Sequence, residues 1–257
     1  MLTVRPYKFE WSDDLPRYWF DGSPFKTHFM NSLSISFPEG EKYFIQSVNH
    51  FKGKISDTEQ LEELNKFIAQ ETWHTYNHKK YNEWLERQGY PIQELQLQSI
   101  ANIKKAKDNL GPLGRLVNTM VIEYVTAISG DWVLAHDEVT GRMHPQFAEF
   151  WKWHATEEVE HRSVVHKLLC TVIEKRGIAK KKMDSFPKKA LIVSTYGLFS
   201  FTICNTIKML KRDGQLYKWR TFKDAMNLLF NRKHGLLFGM FWPLMKFMIT
   251  PFEKLKP

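Results

Sequence analysis

The sequence predicts an all-α protein, a four-helix bundle followed by a basic, amphipathic helical extension. Three observations predict it. Apolar residues recur at spacings of three and four through four long segments, the period of helices with one buried face. Each apolar stripe carries carboxylates or imidazoles in its middle. Charge is divided along the chain: residues 1–174 hold 19 Lys+Arg against 24 Asp+Glu (−5), and residues 175–257 hold 18 against 4 (+14), which sum to the net +9.

The elements follow in order. Residues 1–24, rich in Pro, Asp and aromatics (Trp11, Pro16, Tyr18, Trp19), read as an irregular arm lying on the body. From about Phe25 to Phe51 the apolar residues Phe29, Leu33, Phe37, Phe44 and Val48 form one stripe with Glu41. We read one helix bent at Pro38; the alternative is a helix starting near Ser36, with Pro38 in its first turn. Asp57 or Ser56 caps a helix over Thr58–Gln88, and Gly89-Tyr90-Pro91 ends it. A short helix over Ile92–Asn109 precedes the break at Gly111-Pro112. A third stripe-bearing helix covers about Leu113–Leu134, and Asp137–Pro145 is a loop. The fourth helix covers Phe147–Val172 without Gly or Pro and stops before Gly177. The bundle is thus assigned to residues 25–177 and the extension to 178–257.

The chemistry lies on the stripes. In the fourth helix Phe147, Trp151, Val165, Leu168 and Val172 share a face with His154, Glu158 and His161. A buried charge without a partner is costly, and a metal ion is the economical partner. Glu-x-x-His places two ligands on one helix face. Glu71-Thr72-Trp73-His74 repeats the pattern on the second helix. Glu123 stands alone on the third, between Met120 and Ala127, and Glu41 on the first. The order Glu, Glu-x-x-His, Glu, Glu-x-x-His is that of di-iron and di-manganese carboxylate bundles. Glu41, Glu71, Glu123 and Glu158 bring four negative charges, which two divalent ions would balance, with His74, His154 and His161 neutral. His78, one turn after His74, is expected to support a ligand. Glu157, off the stripe by one residue, is a surface or supporting charge. Asp131, two turns beyond Glu123, either supports a ligand histidine or belongs to the following loop.

These motifs carry a resemblance. Phe37-Pro38-Glu39-Gly40-Glu41, Gln70-Glu71-x-x-His74-x-x-x-His78 and Trp153-His154-x-x-Glu157-Glu158-x-Glu160-His161 resemble, over about residues 25–175, a bacterial family labelled predicted metal-dependent hydrolase. Where that family has a His after the third-helix Glu, this chain has Tyr124, another candidate supporting residue. The ligand pattern also resembles the p-aminobenzoate N-oxygenases, ferritin-like di-iron enzymes with one extra His one turn before the last Glu-x-x-His. His154 holds that position. The resemblance implies a ferritin-like bundle and a seven-residue ligand set.

Cys170 and Cys204 make no disulfide or zinc framework. Nucleophilic triads, phosphate-binding Gly-rich loops and CxxC motifs are absent. The N-terminus has no signal-peptide pattern, and the expected location is cytoplasmic, with peripheral binding to the inner membrane face. Ala190–Leu210 is long enough to span a bilayer, but its Ser, Thr and Asn residues argue against that. Leu236–Ile249 is apolar and short. Basic residues beside two such segments point to an anionic membrane surface rather than nucleic acid; the alternative is packing on the bundle. The expected function is O2 activation at two irons to oxidise a small or lipid-like organic substrate, with electrons from a separate donor. Manganese and zinc are alternatives to iron. A metal-dependent hydrolase is the alternative enzyme, and a non-catalytic, membrane-associated metal-binding protein the alternative outside catalysis.

Overall fold

Ser23 and Pro24 start the first helix for local reasons. The Ser23 side chain accepts from the Lys26 N–H, and Pro24 occupies a position whose N–H has no helical partner. In the computed structural model, which describes residues 2–255, this helix, α1 (Pro24–Lys52), runs unbroken through Pro38. It does not start at Ser36. Pro38 has no N–H to offer the Ser34 carbonyl four residues earlier. Asn82 on the second helix replaces it, its Nδ2 donating to Ser34 O at 3.1 Å.

Asp57 caps α2 (Thr58–Arg87), accepting from the Gln60 N–H at 2.7 Å. Helix α3 (Ile92–Asn109) leads to α4 (Pro112–Ala135), and the expected loop after α4 contains the single turn α5 (Asp137–Thr140). The single helix expected over Phe147–Val172 is instead two, α6 (Pro145–His161) and α7 (Val164–Lys175). Arg162 and Ser163 keep right-handed helical angles while the hydrogen-bond ladder is interrupted. No Gly or Pro marks the break. It falls directly after His161, and such local departures collect at functional sites.

The bundle core is α1 against α2 and α4 against α6, with α7 continuing onto α4 and α2. The chain passes from the first pair to the second through α3. Among the described residues there is no strand, only an isolated bridge from Phe20 to Met143. Gly130 lets α4 and α6 approach closely: a Cβ there would stand 2.8 Å from the Ala155 carbonyl oxygen. The N-terminal arm lies on the body as expected, burying Phe9, Trp11 and Trp19. Trp19 stacks on Phe147 with ring centroids 4.3 Å apart.

The C-terminal helices are α8 (Ser185–Arg212), α9 (Trp219–Phe230) and α10 (Leu236–Ile249). Helix α9 is absent from the sequence reading, because no unbroken apolar run marks it. Helix α8 is long and apolar enough to cross a membrane, yet one face of its second half is buried on the bundle, with Asn205 Nδ2 donating to Leu95 O at 3.0 Å. Ser194 donates to Asn118 Oδ1 on α4 at 2.9 Å. Ser194 and Asn205, two of the polar residues that argue against a span, are therefore contacts to the bundle. Helix α10 seats on α4 where Gly239 meets Trp132, and the Trp132 indole N–H donates to His234 O.

One buried carboxylate ties the extension to the body. Asp213, just past α8, accepts from Arg17 (2.6 Å), Tyr18 (2.9 Å), His28 (2.9 Å) and Tyr90 (2.7 Å). Burial outweighs the Asp213 charge and keeps His28 below the usual histidine range, so it donates as the neutral ring. Burial opposes the charge on Asp213, but the donors His28, Arg17 and Tyr90 hold its carboxyl well below the usual range. A carboxylate depressed by folding contributes stability above its unfolded pKa of ~4 and loses it as pH falls toward its folded value. Asp213→Asn is therefore expected to lower stability at pH 7 by about 3 kcal/mol, and by less at pH 3. Denaturant titration at both pH values checks this, and an unchanged midpoint at pH 7 contradicts it.

Candidate metal centre

Four helices deliver the seven side chains singled out in the sequence to one place. Glu41 comes from α1, Glu71 and His74 from α2, Glu123 from α4, and His154, Glu158 and His161 from α6. All seven are buried. They form three groups whose potential ligand atoms lie within 4.8 Å of one another: Glu41, His74 and His154; Glu71, Glu123 and His161; and, linking these, Glu71, His74 and Glu158. The arrangement is two neighbouring pockets with Glu158 between them.

The three imidazoles are all held from behind. His74 Nε2 donates to Glu157 Oε2 at 3.0 Å. His161 Nε2 donates to Gln70 Oε1 at 3.2 Å, and the Gln70 amide is oriented by donating to Glu160 Oε2 and Thr3 O. His154 Nδ1 meets His78 Nε2 at 2.9 Å. Fixing the outer nitrogen in this way fixes the tautomer and turns the other nitrogen inward, as around bound metals.

For His154 the tautomer follows from a chain of hydrogen bonds. Asn82 Nδ2 must donate to the Ser34 carbonyl that Pro38 leaves open, so its Oδ1 accepts from the Ser34 hydroxyl at 3.0 Å. Ser34 Oγ then accepts from His78 Nδ1 at 2.9 Å. Burial, then the His154 and His74 charges, push His78 far below the usual range and keep it neutral, so its Nε2 accepts from His154 Nδ1–H. His154 Nε2 is left as a lone pair, 3.2 Å from Glu158 Oε1. Two acceptors at that distance in a buried site need a shared proton or metal ion between them.

The inward atoms of the other residues make the same demand. Both oxygens of Glu41, Glu71 and Glu123, together with Glu158 Oε2, His74 Nδ1 and His161 Nδ1, have no hydrogen-bond partner. Buried polar atoms are otherwise nearly always paired. Burial, then neighbouring Glu71, push Glu41 well above the usual carboxylate range, and burial and Glu71 push Glu123 up to about 8. Burial also raises Glu71, against the pull of His161. Burial works against a charged His74, yet Glu157 and Glu158 raise it to about 10. Burial and then His74 lower His154 to about 4. Without cations the cluster balances its charge with protons, which a metal would displace. The donor set of carboxylate oxygens and imidazole nitrogens suits divalent iron, manganese or zinc.

The supporting residues divide differently from expectation. His78 and Glu157 do touch ligand-set histidines. Glu157 is wholly buried, with Arg5 of the arm donating to it through its backbone N–H at 3.0 Å. Asp131 pairs with Arg162 at the exposed edge rather than with a site histidine. At 100° per residue it lies about 80° off the Glu123 face. Tyr124, about 100° off, donates to Pro243 O on α10 at 3.0 Å. Ser34, Asn82, Arg5 and the role of Gln70 went unread, because each acts across helices and the register between helices leaves no periodic signal.

A cleft leads to the cluster. It is open to solvent on one side, and His154 and Glu158 lie on its wall. Phe37, also on the wall, stacks on His154 with ring centroids 4.9 Å apart. Thr126, Ser129 and Thr202 donate to carbonyls of their own helices, so the cleft is apolar.

Fold and cluster together define a metal-binding helix bundle. The chain belongs to a family described as predicted metal-dependent hydrolase, whose model matches residues 3–253. The match takes in the arm and the C-terminal helices, beyond the 25–175 that carry the sequence resemblance. No curated protein and no solved structure matches, so the expected likeness to p-aminobenzoate N-oxygenases gains no support from these comparisons.

His78→Phe keeps the ring and removes the acceptor for His154. It is expected to weaken metal binding about 10- to 100-fold, read by chelator competition, whereas Asp131→Ala leaves affinity unchanged. Equal affinity in His78→Phe and the unaltered protein contradicts the tautomer argument.

Proposed function

We propose that this chain is a metal-dependent enzyme that holds two divalent ions and acts on an apolar substrate. The observation that carries the proposal is the convergence of seven buried side chains, most of their inward atoms unpartnered, beside an apolar cleft. Glu41, His74 and His154 would hold one ion, Glu71, Glu123 and His161 the other, and Glu158 would serve both. Hydrolysis is the first reading, because the family description names it. Oxidation with O2 is the second, favoured by the order of carboxylates and histidines along the bundle. When bound, two ions supply Lewis acidity and an acidified water for hydrolysis, or, as iron, the electrons for O2 reduction. A separate electron donor belongs to the second reading only.

The residues perform the remaining tasks. Glu157, Gln70 and His78 hold the three rings in one orientation, so that no reorganisation accompanies reaction. Phe37 on His154 limits movement of that ring. Apolar walls lower the local dielectric, which strengthens electrostatic interactions at the substrate. Thr195 Oγ1, on the cleft wall, has no partner and is available to hydrogen-bond a polar group of the substrate.

Protein purified from cells given iron, manganese and zinc is expected to carry about two metals per chain. Glu158→Ala is expected to lose most of them. The metal-loaded protein should cleave acyl esters of p-nitrophenol without consuming O2, and rates should fall with Glu158→Ala. Oxygen uptake by the reduced iron protein, without ester cleavage, selects oxidation instead. Fewer than one metal per chain after reconstitution contradicts both readings.

A further inference from the structure

The cleft and the C-terminal helices share a wall. Thr195, Leu198 and Phe199 of α8, Leu228 of α9 and Met240 of α10 line the cleft. Other faces of the same helices carry large apolar side chains to the outside. On α10, Phe238, Trp242 (75% exposed), Met245 and Ile249 (73%) follow one another at spacings of four, three and four. On α9, Trp219 (70%), Phe222, Met226 and Phe230 follow at spacings of three, four and four. On α8, exposed Ile192 and Tyr196 (75%) lead along one stripe to cleft-lining Phe199. A helix normally turns such a stripe inward; here three neighbouring helices turn one outward.

The charge beside these stripes is basic. Exposed Lys218, Arg220 and Lys223 flank the α9 stripe, and Arg232 and Lys233 form the turn between α9 and α10. The region from residue 175 onward carries +14. Apolar and aromatic stripes bordered by Lys and Arg fit the boundary of an anionic bilayer, where rings enter the acyl region and cations meet headgroups. A protein partner would find the stripes but has no need of so large a positive excess. A spanning arrangement conflicts with the second half of α8, one face of which, with polar Asn205, Thr202 and Thr206, is buried on the bundle.

We propose that α8, α9 and α10 dock the protein on an anionic bilayer, and that the cleft beneath them takes in the acyl chain of a lipid. Docking places the outer stripes in the membrane and the cleft mouth next to it. An apolar chain then reaches the His154 and Glu158 end of the cleft without crossing water. Calling that chain the substrate rests on the proposed metal chemistry. Docking and chain binding do not, and both are measured here without turnover.

The full chain is mixed with vesicles of phosphatidylcholine alone or with added phosphatidylglycerol, and bound protein is sedimented. Binding is expected only with phosphatidylglycerol. It should weaken about thirtyfold in the double variant Arg232→Gln, Lys233→Gln, and substantially in Phe238→Ser, Trp242→Ser. High salt should reduce it without abolishing it. Separately, cis-parinaric acid should fluoresce on binding the cleft, and the cleft-narrowing Leu198→Trp should lose most of that signal while still sedimenting with vesicles. Helical circular dichroism and metal content check that each variant folds. Absence from both vesicle types overturns the docking, as does assembly into dimers that bind no vesicle. Retention after alkaline carbonate overturns it in favour of a span. Equal parinaric acid binding by Leu198→Trp overturns the assignment of the cleft. If vesicles and parinaric acid bind while no acyl ester is cleaved and no O2 is consumed, only the proposed enzymology fails.

Discussion

The physical constraint behind this structure is the burial of four carboxylates and three imidazoles in one bundle core. In a low-dielectric interior such a set is destabilising unless cations or protons neutralise it. The ring-holding contacts orient the site toward a cation. Each histidine has its outer nitrogen engaged, by Glu157, Gln70 or His78. The inner nitrogens are thereby directed at carboxylate oxygens that have no hydrogen-bond partner. A proton held between His154 Nε2 and Glu158 Oε1, 3.2 Å apart, would join them, and a metal would take its place.

Much of the remaining architecture supports those rings. Pro38 opens the Ser34 carbonyl, Asn82 fills it, and the resulting hydrogen-bond chain through Ser34 and His78 sets the His154 tautomer. The N-terminal arm, irregular in backbone, acts on the other side: Arg5 holds Glu157 and Glu160, which in turn hold His74 and Gln70. The C-terminal extension is bound to the body through Asp213 and supplies one wall of the cleft. The span of the family match, from the arm to the last helix, agrees with this division of work.

The seven-residue cluster was legible because it obeys one local rule. Residues at spacings of three, four and seven share a helix face, and that face is buried. The same rule explains where sequence reading stopped. Asp131 and Tyr124 seemed near Glu123 along the chain, but rotation about the helix carries both off its face. Glu157 is also off its stripe, yet it is buried because α2 brings His74 against that flank. Contacts such as Gln70 to His161 depend on how far one helix slides along another, which no single-helix pattern records. The break after His161 has no Gly or Pro to announce it. In the extension, the apolar stripe of α9 is interleaved with Lys and Arg and was hidden by the overall charge.

The central claim is that this cluster is a dinuclear metal site. Anomalous diffraction from crystals of the metal-loaded protein tests it most directly. Two peaks are expected, about 3.5–4 Å apart, one within bonding distance of His74 and His154 and the other of His161, with Glu158 reaching both. A single peak, or peaks only at surface carboxylates, would contradict the account.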